Sequence, residues 1–152
     1  MKSFKFRLQT VLEQRERVET LAQQSLAEAE AALHRGQTLL GDLHEIRTAL
    51  LEELCRLRCE GFNAEETRLY HDYLQTITQS VREQEAYVRD LTIIREAHKL
   101  HLVGAAQNRQ ALAGVKDRHQ QAFVAQKQRI EQNTIDELAT VRHTYGQRNS
   151  QG

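Results

Sequence analysis

The chain has 152 residues, of which 39% are hydrophobic, 5% aromatic and 28% charged, and its 21 basic and 21 acidic side chains cancel. A mean hydropathy of -0.66 is thin for filling a compact globular core, and a balanced charge excludes a molecule drawn as a whole toward nucleic acid. With no proline and only seven glycines, few places can end an element. Leu, Ala, Gln, Glu and Arg, which lose little on entering a helix, dominate the rest. The regular spacing of the leucines argues against disorder, so an all-α chain is expected, organised as one domain over residues 1–152.

The first element is a helix over about 4–60. The opening MKSFKFRLQTVL carries early lysines, but Arg7 and Gln9 interrupt the apolar run before signal-peptide length, and no stretch approaches the roughly 20 apolar residues that span a bilayer. A cytosolic protein is expected. A heptad register runs through Leu8, Val11, Arg15, Val18, Ala22, Ser25, Ala29, Ala32, Gly36, Leu39, Leu43, Ile46, Leu50 and, after Leu54, Leu57, with the three- and four-residue steps of a coiled-coil seam. A flanking row, Leu12, Leu26, Leu33, Leu40 and Leu54, widens the stripe. The small residues Ala22, Ala29, Ala32 and Gly36 admit a close partner helix.

The stretch CEGFNAEETRLY, 59–70, is where breaking residues cluster. Gly61 can take the left-handed conformation that ends a helix, and Asn63 can cap the next one, with Glu66 completing an approximate capping box and Phe62 placed for a hydrophobic staple. Residues 61–63 are therefore the tip of a hairpin. Cys55 and Cys59, one turn apart before it, fit two reduced thiols better than a disulfide in such a compartment, and a zinc site would need a second ligand pair that the spacing does not supply.

A second helix over about 64–145 continues the heptads through Tyr70, Leu74, Ile77, Val81, Gln84, Val88, Leu91, Arg95, His98, Leu102, Ala105, Arg109, Leu112, Lys116, His119, Phe123, Gln126 and Ile130. Each helix alone would leave an apolar stripe in water, so the chain folds back on itself into a long antiparallel two-helix coiled coil. At about 1.5 Å per residue the helices span about 85 and 120 Å, so the second overhangs the first. If residues equidistant from the tip pair, Phe4 lies near Gln120, and the overhang carries Phe123, Ile130, Ile135, Leu138 and Val141 as a stripe without an internal partner. Residues 1–17 hold five basic and two acidic side chains and 116–152 hold six and four, so the end with both termini is +5 against -5 for 18–115. That polarity suits an acidic cavity or surface.

No catalytic constellation is present. There is no glycine-rich phosphate loop and no strand to carry one. His98 and His101 share a helix face from which Glu96 points away, so a metal site is not expected. Glu65 and Glu66 fit favourable charges in the first turn of a helix better than a catalytic pair, and basic residues are interleaved with acidic ones rather than gathered into a nucleic-acid stripe. Neither enzyme activity nor a cofactor is indicated.

The residues FKFRLQTVLEQRERVETLAQQSLAEAE, with an F-x-F-x-L-x-x-V-L-x-x-R start, the tip GFNAEETRLYHDYLQTITQSVREQE and the closing RIEQNTIDELA together resemble the flagellar FliJ family, a soluble component of the type III export apparatus. The closing segment has Glu131, Gln132, Asn133 where the family usually reads E-Q-K. The resemblance implies an antiparallel coiled coil similar to the central stalk of rotary ATPases. It also implies three partners: the hexameric export ATPase, whose assembly and activity such a protein promotes, the cytoplasmic domain of the membrane export gate, and export chaperones. Such a protein would sit in the cytoplasm, peripherally at the inner membrane of the flagellar base, and be a monomer alone. Counting from Gly61 and Tyr70, the family's gate contacts carry over to Tyr73, Ile77, Ser80 and Gln84, with Leu39, Leu43, Ile46 and Leu50 opposite; Gln84 stands where the family has a histidine. Ile77, Leu43, Ile46 and Leu50 also fall in the expected seam, so internal packing competes for them. The basic terminal end would enter the ATPase ring through Phe4, Phe6, Phe123, Ile130, Ile135, Leu138, Lys127 and Arg129. Two other readings remain open from sequence: a structural coiled coil that dimerises through the unpaired stripe, and the equivalent stalk protein of a virulence secretion system.

Overall fold

The computed structural model describes residues 3–61 and 63–149, with side chains to residue 143. It contains two helices, α1 over Gln9–Glu60 and α2 over Ala64–Asn149, which pack against each other as an α-hairpin. No strand occurs among the described residues. Two compact units are distinguished, Val18–Ala105 and the combination of Met1–Arg17 with Ala106–Gly152.

In the Val18–Ala105 unit, the reversal between the helices is set by local chemistry. Gly61 has φ +80, a left-handed conformation that costs a glycine little and ends α1. The Asn63 side-chain Oδ1 accepts a hydrogen bond from the Glu65 backbone N–H at 3.1 Å, while the Asn63 carbonyl accepts the first helical bond from Thr67 N at 3.1 Å. Asn63 is therefore the N-cap of α2, and Glu65 and Glu66 place negative charge in its first turn. Phe62, the expected staple residue, lies outside the described residues. At the other side of the tip, Arg56 ties α1 together over its last turns: Nε donates to Glu53 Oε2 at 2.9 Å and Nη1 to Glu60 Oε2 at 2.6 Å.

The α2 seam follows the heptads. Every expected position from Tyr70 to Ala105 is buried or half-buried, and Val81, 1% exposed, is the centre. It forms a core with Leu50 and Ile77, flanked by Leu40, Leu43, Tyr70 and Leu74.

The α1 seam departs from the expected register at Leu39 and Ile46. Ala22, Ala29, Gly36, Leu43, Leu50 and Leu57 face inward as expected. Between them lie Leu26, Leu33, Leu40 and Leu54, the row expected to flank the seam, together with Arg47; Ser25 and Ala32 are half-buried beside that row, whereas Leu39 and Ile46 are not. The physical reason is area. Leu26 and Leu33 offer more apolar surface than Ser25 and Ala32, Leu39 and Leu40 are equal, and a straight heptad that follows the first pair cannot also turn Leu39 and Ile46 fully inward. Leu39 and Ile46 are left exposed as a result.

Gly36 marks a close approach of the helices. A Cβ built there would lie 3.1 Å from Leu91 Cδ1 and 3.4 Å from Val88 Cγ2. The bare backbone also lets the Gln84 side-chain amide donate to the Gly36 carbonyl at 3.0 Å, which satisfies a polar seam residue.

In the unit made of Met1–Arg17 and Ala106–Gly152, α1 starts later than expected, at Gln9 instead of about residue 4. Residues 3–6 are not helical, and the first turn is closed by Gln9 N donating to the Phe6 carbonyl at 3.1 Å. In a helix, Phe4 and Phe6 would point about 200° apart; in an extended segment residues i and i+2 share a face. Extension lets both rings reach α2, and that contact outweighs the turn of helix forgone. Leu12 is the buried α1 side chain of this unit.

Candidate interaction surfaces

The register of Val18–Ala105 is fixed by the contacts of Gly36 with Gln84, Val88 and Leu91 and, on one flank, by the approach of His44 Nε2 to Glu85 Oε1 at 3.8 Å. In an antiparallel coiled coil, the residues flanking the seam meet their own kind across it. The flank opposite His44 and Glu85 therefore gathers Leu39 and Ile46 from α1 with Tyr73 and Ser80 from α2. Ile46 falls between the levels of Tyr73 and Ser80, and Leu39 lies one heptad further from the tip.

Four of the eight expected gate-contact residues thus share one flank, with Leu39, Ile46 and Tyr73 exposed and Ser80 half-buried. The other four lie beneath it. Ile77 and Leu50 belong to the buried core with Leu43 packed against it, and Gln84 is committed to the Gly36 carbonyl. The residue standing where the family has a histidine is thus a seam residue here. Sequence reasoning missed Tyr87 and Ile94, both exposed, which continue the flank at seven-residue steps from Tyr73 and Ser80. The signal was present as the repeat 73, 80, 87, 94.

In the other unit, Phe4 and Phe6 sit on α2. The Phe4 ring lies 5.7 Å from that of Phe123, tilted by 50°, and Phe6 meets His119 edge-on at 6.0 Å. Phe4 therefore reaches Phe123, about one helical turn beyond the expected Gln120. A shallow groove beside this contact is lined by Ser3, Phe4, Lys5, His119, Ala122, Phe123 and Gln126.

Beyond Phe123, α2 presents apolar side chains to solvent: Ile130, Ile135 and Leu138 are 58%, 59% and 61% exposed. At about 100° per residue, Phe123, Ile130, Leu138 and Ile135 fall within a sector of about 140°. Lys127 lies inside that sector and is paired with Glu131 at 3.7 Å, whereas Arg129 falls on the opposite side of the helix. Five basic and two acidic residues in 1–17, with seven and four in 106–152, give this unit +6.

Three or more His, Cys, Asp or Glu side chains grouped to hold a metal do not occur among the described residues. Cys55 and Cys59 are exposed free thiols. No described helix is long and apolar enough to cross a membrane.

No curated protein and no solved structure matches the chain. The family model described as the flagellar FliJ protein matches residues 4–148 of the 152, a span that includes the aromatic start, the tip and the exposed stripe. The chain belongs to the flagellar FliJ protein family and is a component of the flagellar export apparatus.

Proposed function

We propose that this chain is a non-enzymatic stalk of the flagellar export ATPase: it binds the ATPase ring, promotes ring assembly and turnover, and links the ring to the cytoplasmic domain of the membrane export gate and to export chaperones. The observation that carries this reading is the exposed stripe Ile130, Ile135 and Leu138 on a unit of net charge +6, in a chain matched to the family over 4–148. A solvated helix of no further use has little reason to keep such a stripe, and exposed apolar sectors rimmed by charge are where partners dock.

In this reading the ring grips Phe123, Ile130, Ile135 and Leu138. Lys127 and the other cations of the unit steer it toward an acidic lining, and Phe4 and Phe6 pack at the margin of the contact. The gate contact is the flank of Tyr73, Ser80, Leu39 and Ile46. Ile77, Gln84, Leu43 and Leu50 support that flank from within.

The test is the hydrolysis rate of the cognate export ATPase with and without this protein across a range of ATPase concentrations. Stimulation greatest at low ATPase concentration supports a factor that drives ring assembly. An unchanged rate, with the protein instead showing a concentration-dependent mass of its own, would favour a dimerising coiled coil and sink the stalk reading.

A further inference from the structure

The segment Ser3–Phe6 behaves as neither a helix end nor a loose tail. Phe4 and Phe6 are half-buried while Ser3, Lys5 and Arg7 are exposed, the alternation of an extended chain laid on a surface. The surface is the α2 seam. Residues i and i+2 of an extended chain are about 6.6 Å apart and residues one helical turn apart about 6 Å, so Phe6 and Phe4 match His119 and Phe123 in step. The hydrogen bond from Gln9 N to the Phe6 carbonyl at 3.1 Å closes the turn that follows the segment. Two ring contacts set the segment on α2.

Two half-buried rings set against the entropy of ordering four residues make a nearly balanced exchange. Phe123 and Ile130 are seven residues apart, on the same side of α2 to within about 20° and separated by about 10 Å. Anything that grips Ile130 and continues for two turns toward Phe123 meets the segment already there.

We propose that Ser3–Phe6 is a displaceable strap that packs on Phe123 and against the edge of His119 and must lift for the α2 stripe to be fully engaged, so that it restrains the binding of the stripe's partner. This rests on the reading above, in which that partner is the export ATPase ring. The strap lowers apparent affinity by the fraction of molecules in which it is open.

The test compares the wild-type chain, the Phe4→Ala, Phe6→Ala double variant and a Gln14→Ala control at an exposed, uncharged position of α1, each first checked for unchanged helicity, by the concentration giving half-maximal stimulation of the export ATPase. For a strap closed in roughly 75–90% of molecules, the double variant reaches half-maximum at about a four- to tenfold lower concentration, and the control does not move. A double variant equal to or weaker than a stimulating wild type overturns the strap while leaving the stalk reading in place. If neither chain stimulates or binds the ATPase, the stalk reading falls and the strap with it. An independent readout is the distance between spin labels at Ser3→Cys and Gln126→Cys, which line one groove, in a Cys55→Ser, Cys59→Ser background. Adding ATPase lengthens that distance; binding with the distance unchanged also overturns the strap.

Discussion

Two glycines of α1 separate the contribution of helix propensity from that of helix packing. Gly36 and Gly41 both lie inside Gln9–Glu60, five residues apart, in the same compact unit. At Gly41 a new Cβ meets nothing within 4 Å, so Gly41→Ala should gain the full propensity difference, about 0.8–1 kcal/mol. At Gly36 the same methyl group lies 3.1 Å from Leu91 Cδ1 and 3.6 Å from Gln84 Nε2. Leu91 is itself buried, so the few tenths of an ångström it must give are resisted by its own neighbours. Overpacking of this kind costs about 1–3 kcal/mol, which offsets or exceeds the gain. Gly41→Ala should therefore be more stable than Gly36→Ala by about 1–3 kcal/mol, or roughly 2–10 °C in melting temperature for a chain of this size. Urea unfolding followed by far-UV circular dichroism, in single variants compared side by side, measures it. Equal stabilisation by both alanines would refute the close approach at Gly36 and the register built on it.

Other expectations follow from the same contacts. Ile77→Ala, which empties part of the core beside Val81, should cost about 2–5 kcal/mol, whereas Tyr73→Ala, one position off the seam, should change stability by less than about 0.5 kcal/mol while weakening capture by the immobilised cytoplasmic domain of the export gate; the reverse ranking would place the flank incorrectly. The hydrogen bond from Arg56, with its charge, holds the Glu53 carboxyl below the ordinary glutamate range. Because the folded value is the lower one, the brace is fully present above the unfolded glutamate pKa and is lost as pH falls through the depressed value; carbon-detected NMR titration should find Glu53 below its value in the unfolded chain, and Arg56→Gln should abolish the difference. Ile130→Asp with Ile135→Asp, both more than half exposed, should leave helicity and melting nearly unchanged yet remove ATPase stimulation, and normal stimulation by that variant would take the stripe out of the contact.

Much of this fold was legible because its periodicities are long. Eleven consecutive heptad positions from Tyr70 to Ala105 face inward as the spacing requires, and Gly61 with Asn63 mark the reversal by chemistry that few other residues share. Two features were hidden by competition between neighbours. In α1, Leu39 and Leu40 are adjacent and equally apolar, so choosing between rows depended on the whole helix, where Leu26 and Leu33 outweigh Ser25 and Ala32. At the start, Phe4 and Phe6 were read in a helical period although their spacing has period two, and only the tertiary contact with His119 and Phe123 makes that shorter period the one that counts. The flank suffered from the same ambiguity as the α1 seam. Once the register is known, Leu39 and Ile46 separate from Leu43 and Leu50, and Tyr87 and Ile94 join Tyr73 by simple repetition.

The most direct test of the stalk reading is the mass distribution of the export ATPase, with nucleotide, at a concentration where it is mostly monomeric, measured by mass photometry with and without this protein. A stalk shifts the ATPase to hexamers carrying one copy of the chain, and the shift is lost with the Ile130→Asp, Ile135→Asp variant. An ATPase that stays monomeric and free of the chain would contradict it.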